Sequence, residues 1–417
     1  AAAAVKAGVH NFTKNSLDAA HEELRRQTTE AAIILEGLYE SVYNARWHHV
    51  VELPDGEKQK TGTGMVVEEG KPPHSWTYKK VGGILEKDDG VQQSGAAPPR
   101  LVVLTSDKGW PYTLNAPHGA LKDFFINCEV DRVWQIVSSD LTEWFDNFDL
   151  SLNRSPTRCL LIGTPGIGKS MAAGSYLLYQ LLHYDIKKLQ VIVHCFGDTA
   201  YVFDKTAQTV TQYEGEITSK IVVRSFWQRG MKGYIIYDVA KKGTPPDTNF
   251  APASGWGMIV VSSPKVGNYD EWEKQLTAKR IIMNCPDEMD VKAMCAWMKQ
   301  GVTKDEQAKY WEMVKKHMDE VGPIPRYIFE EKKYINRIGA VNDALGAIKV
   351  IDDGKYLTEG GTKLWYSEDP SHKLVKIVRA KTEKGAEVFL NAPICADIGF
   401  KTVDRLRKVM RAKDFCC

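Results

Sequence analysis

The run Cys159-Leu160-Leu161-Ile162-Gly163-Thr164-Pro165-Gly166-Ile167-Gly168-Lys169-Ser170 decides the fold. From Gly163 onward it fits G-x-x-x-x-G-K-[ST]; the residues before it are an unbroken apolar strand, and Lys169 to Tyr184 reads as a helix. That context turns a pattern into a phosphate-binding loop (P-loop). Gly166 and Gly168 let the backbone curl until successive N–H groups face an anion at a helix N-terminus. A Gly-rich turn with an incidental lysine is the bland alternative, and the strand-loop-helix order argues against it. The whole loop, Gly163, Thr164, Pro165, Gly166, Ile167, Gly168, Lys169 and Ser170, is therefore the candidate nucleotide site, for ATP or GTP. Lys169 is assigned to the β- and γ-phosphates and the Ser170 hydroxyl to Mg²⁺.

Such a loop needs a carboxylate on a neighbouring strand to hold the metal and its waters. Gly233-Tyr234-Ile235-Ile236-Tyr237-Asp238 supplies one, making Asp238 the Walker B candidate and the second metal residue. Asp198 is its rival, although Gly197-Asp198 reads equally well as a turn. Met258-Ile259-Val260-Val261 ends in Ser262-Ser263, which puts Ser262 at a carboxyl edge where a γ-phosphate could be sensed; Ser-Ser-Pro is also an ordinary strand terminator. Arg326, in Gly322-Pro323-Ile324-Pro325-Arg326, either folds back onto the phosphates or is a solvated residue on a Pro-stiffened turn. Lys169, Asp238, Ser262 and Arg326 form the candidate catalytic set.

Short apolar runs without a solvent face at Cys159 to Ile162, Leu189 to Phe196, Tyr234 to Tyr237, Met258 to Val261 and Arg280 to Met283 predict buried parallel strands. The fold class is α/β: a P-loop NTPase with a central, mainly parallel sheet covered on both faces. From Asp287 to Leu345 helices take over as a lid, with Thr303-Lys304-Asp305-Glu306 as a capping box. LVKIVRA and AEVFLNAP then read as strands and Thr402 to Ala412 as a basic helix.

Ahead of the loop, Leu17, Leu24, Ala31 and Leu38 recur every seven residues and predict a helix from Leu17 to Leu38, its face extended by Leu35 and Val42. Between Ala45 and Ser106 short β-rich runs suggest a small sheet, and Glu129 to Phe148 returns to helical spacing. The expected division is 1–150, an N-terminal α+β domain; 151–285, the P-loop core; 286–348, a helical lid; and 349–417, a C-terminal α+β segment, incomplete. Trp47, His48, His49, Trp76, Tyr78, Trp110 and Tyr112 could form a stacking platform for single-stranded nucleic acid, or simply fill the sheet's core. His48 and His49 would point to opposite faces of a strand, which makes them a poor metal pair.

Across 417 residues, 55 Lys plus Arg against 53 Asp plus Glu leave a formal charge of +2, too little for a surface-wide nucleic-acid sink. Hydrophobic residues at 43% and charged ones at 26% describe an ordinary globular chain. Charge-free stretches such as Ser170 to Tyr184 are broken by polar residues or glycine, so the chain reads as soluble without a membrane span. The start AAAAVKAG has neither an initiator Met nor a leader pattern, and is read as a fragment boundary. Eight scattered cysteines without C-x-x-C fit a reduced intracellular compartment, and Cys416-Cys417 is not a C-a-a-X box.

GTPGIGKSMAAGSYLLYQLLHYD, MKGYIIYDVAKKGTPP, GWGMIVVSSP, RIIMNCPDEMDVKAMCAWMK, YWEMVKKHMDEVGPIPRYIF and EVFLNAPIC resemble the trypanosome retrotransposon hot spot protein family, as do ESVYNARWHHVVELP and VLTSDKGWPYT. The likeness runs from about Glu40 onward. It implies a largely nuclear family with a P-loop NTPase module, associated with chromatin, transcription and RNA export, and a chain that continues beyond Cys417. In its fold the chain is also similar to AAA and signalling-type ATPases with a helical lid. Those carry a Glu after the Walker B Asp, where this sequence has Val239; Asp198, Glu214 and Glu216 are the substitutes on offer. Binding is thus better supported than turnover. The function expected is Mg²⁺-dependent nucleoside triphosphate binding with slow hydrolysis, coupled to nuclear protein or ribonucleoprotein partners. The alternatives are a regulatory scaffold without turnover, or a nucleic-acid-binding module using the aromatics and Arg405, Arg407, Lys408 and Arg411.

Overall fold

The computed structural model describes residues 32–78, 84–85, 91–93, 99–114, 121–146, 155–239, 245–349, 370–382 and 385–409. Its N-terminal part holds β1 (Ile33–Ile34), α1 (Leu38–Tyr43), β2 (Arg46–Glu52), β3 (Met65–Glu69), β4 (Trp76–Tyr78), β5 (Ile84–Leu85), β6 (Val91–Gln93), β7 (Leu101–Thr105), β8 (Asp123–Ile126) and α2 (Cys128–Asp146). Strands β3-β2-β7-β8 make an antiparallel sheet, while β4 pairs with β6. Along α2, Val130, Val133, Val137 and Leu141 recur at helical spacing and are all buried.

Most of the helix expected from Leu17 to Leu38 lies outside the described residues, and its end departs from that expectation. Ile33 and Ile34 pair with Gln212 and Thr211 as an edge strand, and Gly37, at φ 68°, separates them from α1. A heptad of apolar residues cannot distinguish a helix from a β-branched pair followed by a glycine that breaks it.

The central sheet runs β1-β12-β11-β10-β13-β14-β9-β15, through β9 (Cys159–Gly163), β10 (Val191–Phe196), β11 (Thr199–Asp204), β12 (Thr209–Glu214), β13 (Gly233–Asp238), β14 (Trp256–Ser262) and β15 (Lys279–Met283). β10, β13, β14, β9 and β15 are parallel, as their two-sided apolar character predicts. The antiparallel extension through β11 and β12 was not predicted. It starts at the Gly197-Asp198 turn, with Gly197 at φ 60°, which leaves Asp198 exposed in a hairpin.

α3 (Ser175–His183) continues the helix that leaves the Gly-rich loop, and α4 (Glu216–Gln228) and α5 (Asp270–Leu276) lie in later connections. Helices α6 (Glu288–Met298), α7 (Lys304–Val321), α8 (Pro325–Ile328) and α9 (Glu331–Gly346) come after β15. The predicted capping box starts α7: Thr303 Oγ1 accepts from Glu306 N, and Thr303 N donates to Glu306 Oε2 at 3.0 Å. β16 (Val375–Lys381) and β17 (Glu387–Pro393) form a hairpin that β5 completes from the N-terminal region. The last helix, α10 (Ala396–Val409), begins before the expected Thr402, and residues 410–412 lie outside the described set. None of the described helices is long and apolar enough to cross a membrane.

Among the described residues, most of the N-terminal aromatics are engaged inside the fold. Trp110 and Trp76 are core residues, Trp47 Nε1 donates to Tyr179 Oη at 2.9 Å, and His48 lies against Trp297. His49 is buried, its Nδ1 3.0 Å from the Gly70 carbonyl. The Tyr78 side chain lies outside the described residues. Among those described, Tyr112, 40% exposed, is the one that faces away from the core.

The open edge of β15 is sealed by four buried charges. Arg132 of α2 pairs with Glu387 of β17 at 2.7 Å, and Arg379 of β16 pairs with Glu129 of α2 at 2.7 Å. Glu387 Oε2 accepts from Ile282 N at 2.7 Å, Arg132 donates to the Ile282 carbonyl, and Glu129 Oε2 accepts from Asn284 N at 3.0 Å. Burial works against the Glu129 charge, but Arg132 and Arg379 outweigh it and hold its carboxyl below the usual range. Removing one partner strands the others in a dry interior. Arg132→Met is expected to cost about 3–5 kcal/mol of stability in urea unfolding; a loss under about 1 kcal/mol would mean that the cluster is solvated.

Candidate functional site

β9 ends at Gly163, and the chain turns back on itself before re-entering a helix. Gly166 and Gly168 sit at φ 91° and 103°, in the left-handed region that favours glycine. A Cβ on Gly163 would lie 2.9 Å from both Ile167 Cδ1 and Lys169 Cδ, so the residue must stay bare for the lysine to pass. The helix opens with a wide π turn over Lys169–Gly174, in which Ala173 N donates to Gly168 O at 3.2 Å, and then tightens into α3.

Within this loop Lys169 is buried, and its Nζ donates to the Gly163 carbonyl at 2.6 Å and the Thr164 carbonyl at 3.0 Å. Burial pushes the Lys169 ammonium down to about 8, with Asp238 opposing and Arg326 adding to the shift. Thr164 is fully buried and points away from the phosphate side: its Oγ1 accepts from Ile377 N of β16 at 3.1 Å. The loop is thus tied to the C-terminal hairpin.

Asp238 ends β13. Burial raises its carboxyl to about 6 against the Ser170 hydroxyl and the charges of Lys169 and Arg326, and its Oδ2 has no hydrogen-bond partner among the described residues. An orphaned buried carboxylate oxygen beside a hydroxyl is a hard, oxygen-only donor pair, which fits Mg²⁺. Among the described residues no group of three or more His, Cys, Asp or Glu could hold a metal alone. Ser170 and Asp238 would therefore have to share the ion with phosphate oxygens and water.

β14 lies between β9 and β13, which brings Ser262 opposite Ile162 and next to the partner of Asp238. The Ser262 hydroxyl is buried and donates to the Ser263 carbonyl at 2.9 Å. Arg326, second residue of α8, packs on the loop: a Cβ on Gly166 would lie 3.2 Å from Arg326 Cβ, and its charge acts on Lys169 and Asp238. The structure therefore brings Lys169, Ser170, Asp238 and Arg326 together, with Ser262 at the same sheet edge but engaged by backbone. Neither Asp198, in its exposed turn, nor Glu214, bound to Thr199 and Gln212, is among the groups acting on Asp238.

Sequence reasoning missed one neighbour of the loop. Tyr112 stands by Ser170, in the fields of Asp238 and Arg326. Its signal lay in Trp110-Pro111-Tyr112-Thr113, where two residues that become core flank one that stays out.

A family model described as retrotransposon hot spot protein, P-loop domain, matches residues 160–416, and one for the N-terminal region of these proteins matches residues 39–156. No curated protein matches the chain. Among solved structures, the chain is similar to the Aeropyrum pernix ORC2 protein in ADPNP-ADP complexes at 9% identity, covering 69% of this chain and 94% of that one, with a TM-score of 0.30. It is also similar to a signal transduction ATPase with numerous domains, bearing a tetratricopeptide repeat sensor, from Pyrococcus horikoshii: 12% identity, 63% of this chain, 42% of that one, TM-score 0.22.

The buried lysine should be visible in the stability of the nucleotide-free protein. Lys169 titrates near 10.5 when unfolded and near about 8 when folded, so between those values the unfolded chain holds more protons and stability rises with pH. Below that window both states carry the charge and the burial cost is full. Lys169→Met is expected to stabilise the protein by about 2–3 kcal/mol at pH 7 in chemical denaturation. It should also remove part of the rise with pH; a variant no more stable than the parent would contradict the buried charge.

Proposed function

The chain belongs to the retrotransposon hot spot protein family, and on that premise we propose that it binds ATP with Mg²⁺ and hydrolyses it slowly, serving chromatin, transcription or RNA-export partners in the nucleus. The observation that carries the nucleotide reading is the orphaned Asp238 Oδ2 beside Ser170, with Lys169 held by loop carbonyls a few residues away. Lys169 has acceptors it can leave for phosphate oxygens, and the loop's N–H groups complete the cradle. Ser170 and Asp238 would hold the metal, whose chemistry is to neutralise charge between the terminal phosphates. Arg326, touching the loop from α8, ties the helices after β15 to occupancy.

Slow turnover is supported by the residue after Asp238. Val239 N donates to Val261 O at 3.0 Å, and the Val239 side chain packs against the core. Among the described residues, the side chains whose charges act on Lys169 are Asp238, Arg326 and Cys285. General-base assistance is worth about 10²–10⁴ in rate, so its absence predicts a switch rather than a motor.

Calorimetry with ATP and with GTP tests the site: Lys169→Met should abolish measurable binding of either, and undiminished affinity would end the P-loop assignment. Val239→Glu is expected to raise single-turnover hydrolysis at least tenfold, on the order of the general-base contribution, with little change in affinity. A parent already fast, with a variant no faster, would place the base elsewhere. Nuclear action is tested by proximity labelling from the tagged full chain, where the absence of chromatin or ribonucleoprotein neighbours would count against it.

A further inference from the structure

We propose that Arg337, buried on α9, binds phosphate beside Arg326, holding the terminal phosphate of a nucleotide seated in the loop and so making the site prefer a triphosphate to a diphosphate. The inference rests on the proposed nucleotide site and extends it to the helix after α8.

Three arginines are buried among the described residues, and two of them have counter-ions. Arg132 faces Glu387 and Arg379 faces Glu129, each at 2.7 Å. Arg337 is the exception. It is 4% exposed, yet among the described residues its guanidinium makes one hydrogen bond, from Nη2 to the His372 carbonyl at 2.8 Å, and its buried Nε has no partner. A carbonyl accepts a proton but cancels no charge, and a lone charge in a dry interior is costly until an anion joins it.

The neighbours add positive charge instead of removing it. The guanidinium lies over the Tyr327 ring, 4.6 Å from its centre, and among the described residues the groups whose charges act on Arg337 are that phenol and Arg326. The charges acting on His372 come from Arg337, Lys373 and Arg326, all cations. Burial, with these three behind it, pushes the His372 imidazole down to about 4, so it is neutral at pH 7 and adds nothing to the balance. Such a nook is complementary to a guest with more than one negative charge.

Its place beside the loop is fixed through α8. Arg326 N donates to the Gly166 carbonyl at 3.4 Å, and a Cβ on Gly166 would meet Ile324 Cγ2 at 2.8 Å and Arg326 Cβ at 3.2 Å. Tyr327, the ring under the Arg337 guanidinium, is the next residue in the chain. Arg337 is thus one residue removed from the contact between α8 and the phosphate loop. Its planar fork can keep the His372 carbonyl on one amino group and offer its other N–H groups to phosphate oxygens. Because His372 belongs to the Pro370–Lys373 turn that leads into β16, the terminal phosphate would bear on α8, α9 and the C-terminal hairpin together.

The test uses the full chain and calorimetry with a non-hydrolysable ATP analogue and with ADP, both with Mg²⁺. The parent should prefer the triphosphate. Arg337→Gln should cut that preference about ten- to a hundredfold, the range of one hydrogen bond to a charged group, and leave ADP affinity within about twofold of the parent. A residue that only holds the His372 carbonyl and the Tyr327 ring would weaken both nucleotides alike and lower Tm. That result, or a parent without preference, overturns the proposal. Lys169→Met keeps the two ideas apart: if it binds nucleotide as the parent does, the P-loop reading falls and this proposal with it. If it abolishes binding while Arg337→Gln retains the full preference, only the role of Arg337 is overturned. Should Arg337→Gln not fold, Arg337→Lys takes its place. It keeps the charge but not a fork that serves carbonyl and phosphate at once, so a loss of preference of about threefold or more is expected, and an unchanged preference would refute the proposal.

Discussion

A parallel sheet that carries a loop at one end must close its outer strands, and here the strand beside the loop strand is an outer one. β15 is closed not by another strand but by side chains: Glu387 and Arg132 take the Ile282 amide and carbonyl, and Glu129 takes the Asn284 amide. Each acid that satisfies the edge is neutralised by an arginine from a different segment. The arrangement makes α2, β15 and the β16–β17 hairpin mutually dependent, although they are far apart in the chain. It also crosses between the two family-matched regions, since Glu129 and Arg132 belong to the first and Arg379 and Glu387 to the second.

The loop stands on that closed edge with its own electrostatic tension. Lys169 and Asp238 are driven toward neutrality from opposite sides by burial, one to about 8 and the other to about 6. Among the described residues the lysine is solvated by loop carbonyls alone, and one carboxylate oxygen has no partner. A polyanion with a hard cation supplies what each lacks.

What could be read from the sequence was local. The glycines of the loop, the two-sided apolar strands and Thr303 with Glu306 each express a backbone requirement within a few residues. So does the position of Asp238 at the end of an apolar run. The misses are long-range. β12 reads Thr-Val-Thr-Gln-Tyr-Glu, too polar for a buried strand, because it lies near the sheet's far edge. Ile33-Ile34 could be placed only by its partner β12. The four charges around β15 look like surface residues until the fold buries them, and Tyr112 looked like one aromatic among many. Its distinction, facing Ser170 instead of the core, is set by a packing of two regions that no local pattern encodes.

Thr164 gives the loop a property of its own. The second residue of the motif is sealed from solvent, and its hydroxyl is committed to a strand that begins only at Val375. The phosphate cradle is therefore not a cassette. Transplanting residues 163–170 into another scaffold, or trimming this chain before β16, would strand a hydroxyl in a dry interior and loosen the turn next to the lysine. The smallest unit that carries this candidate site includes the C-terminal hairpin, so an economical fragment ending with α9 would be a different molecule at the position that matters.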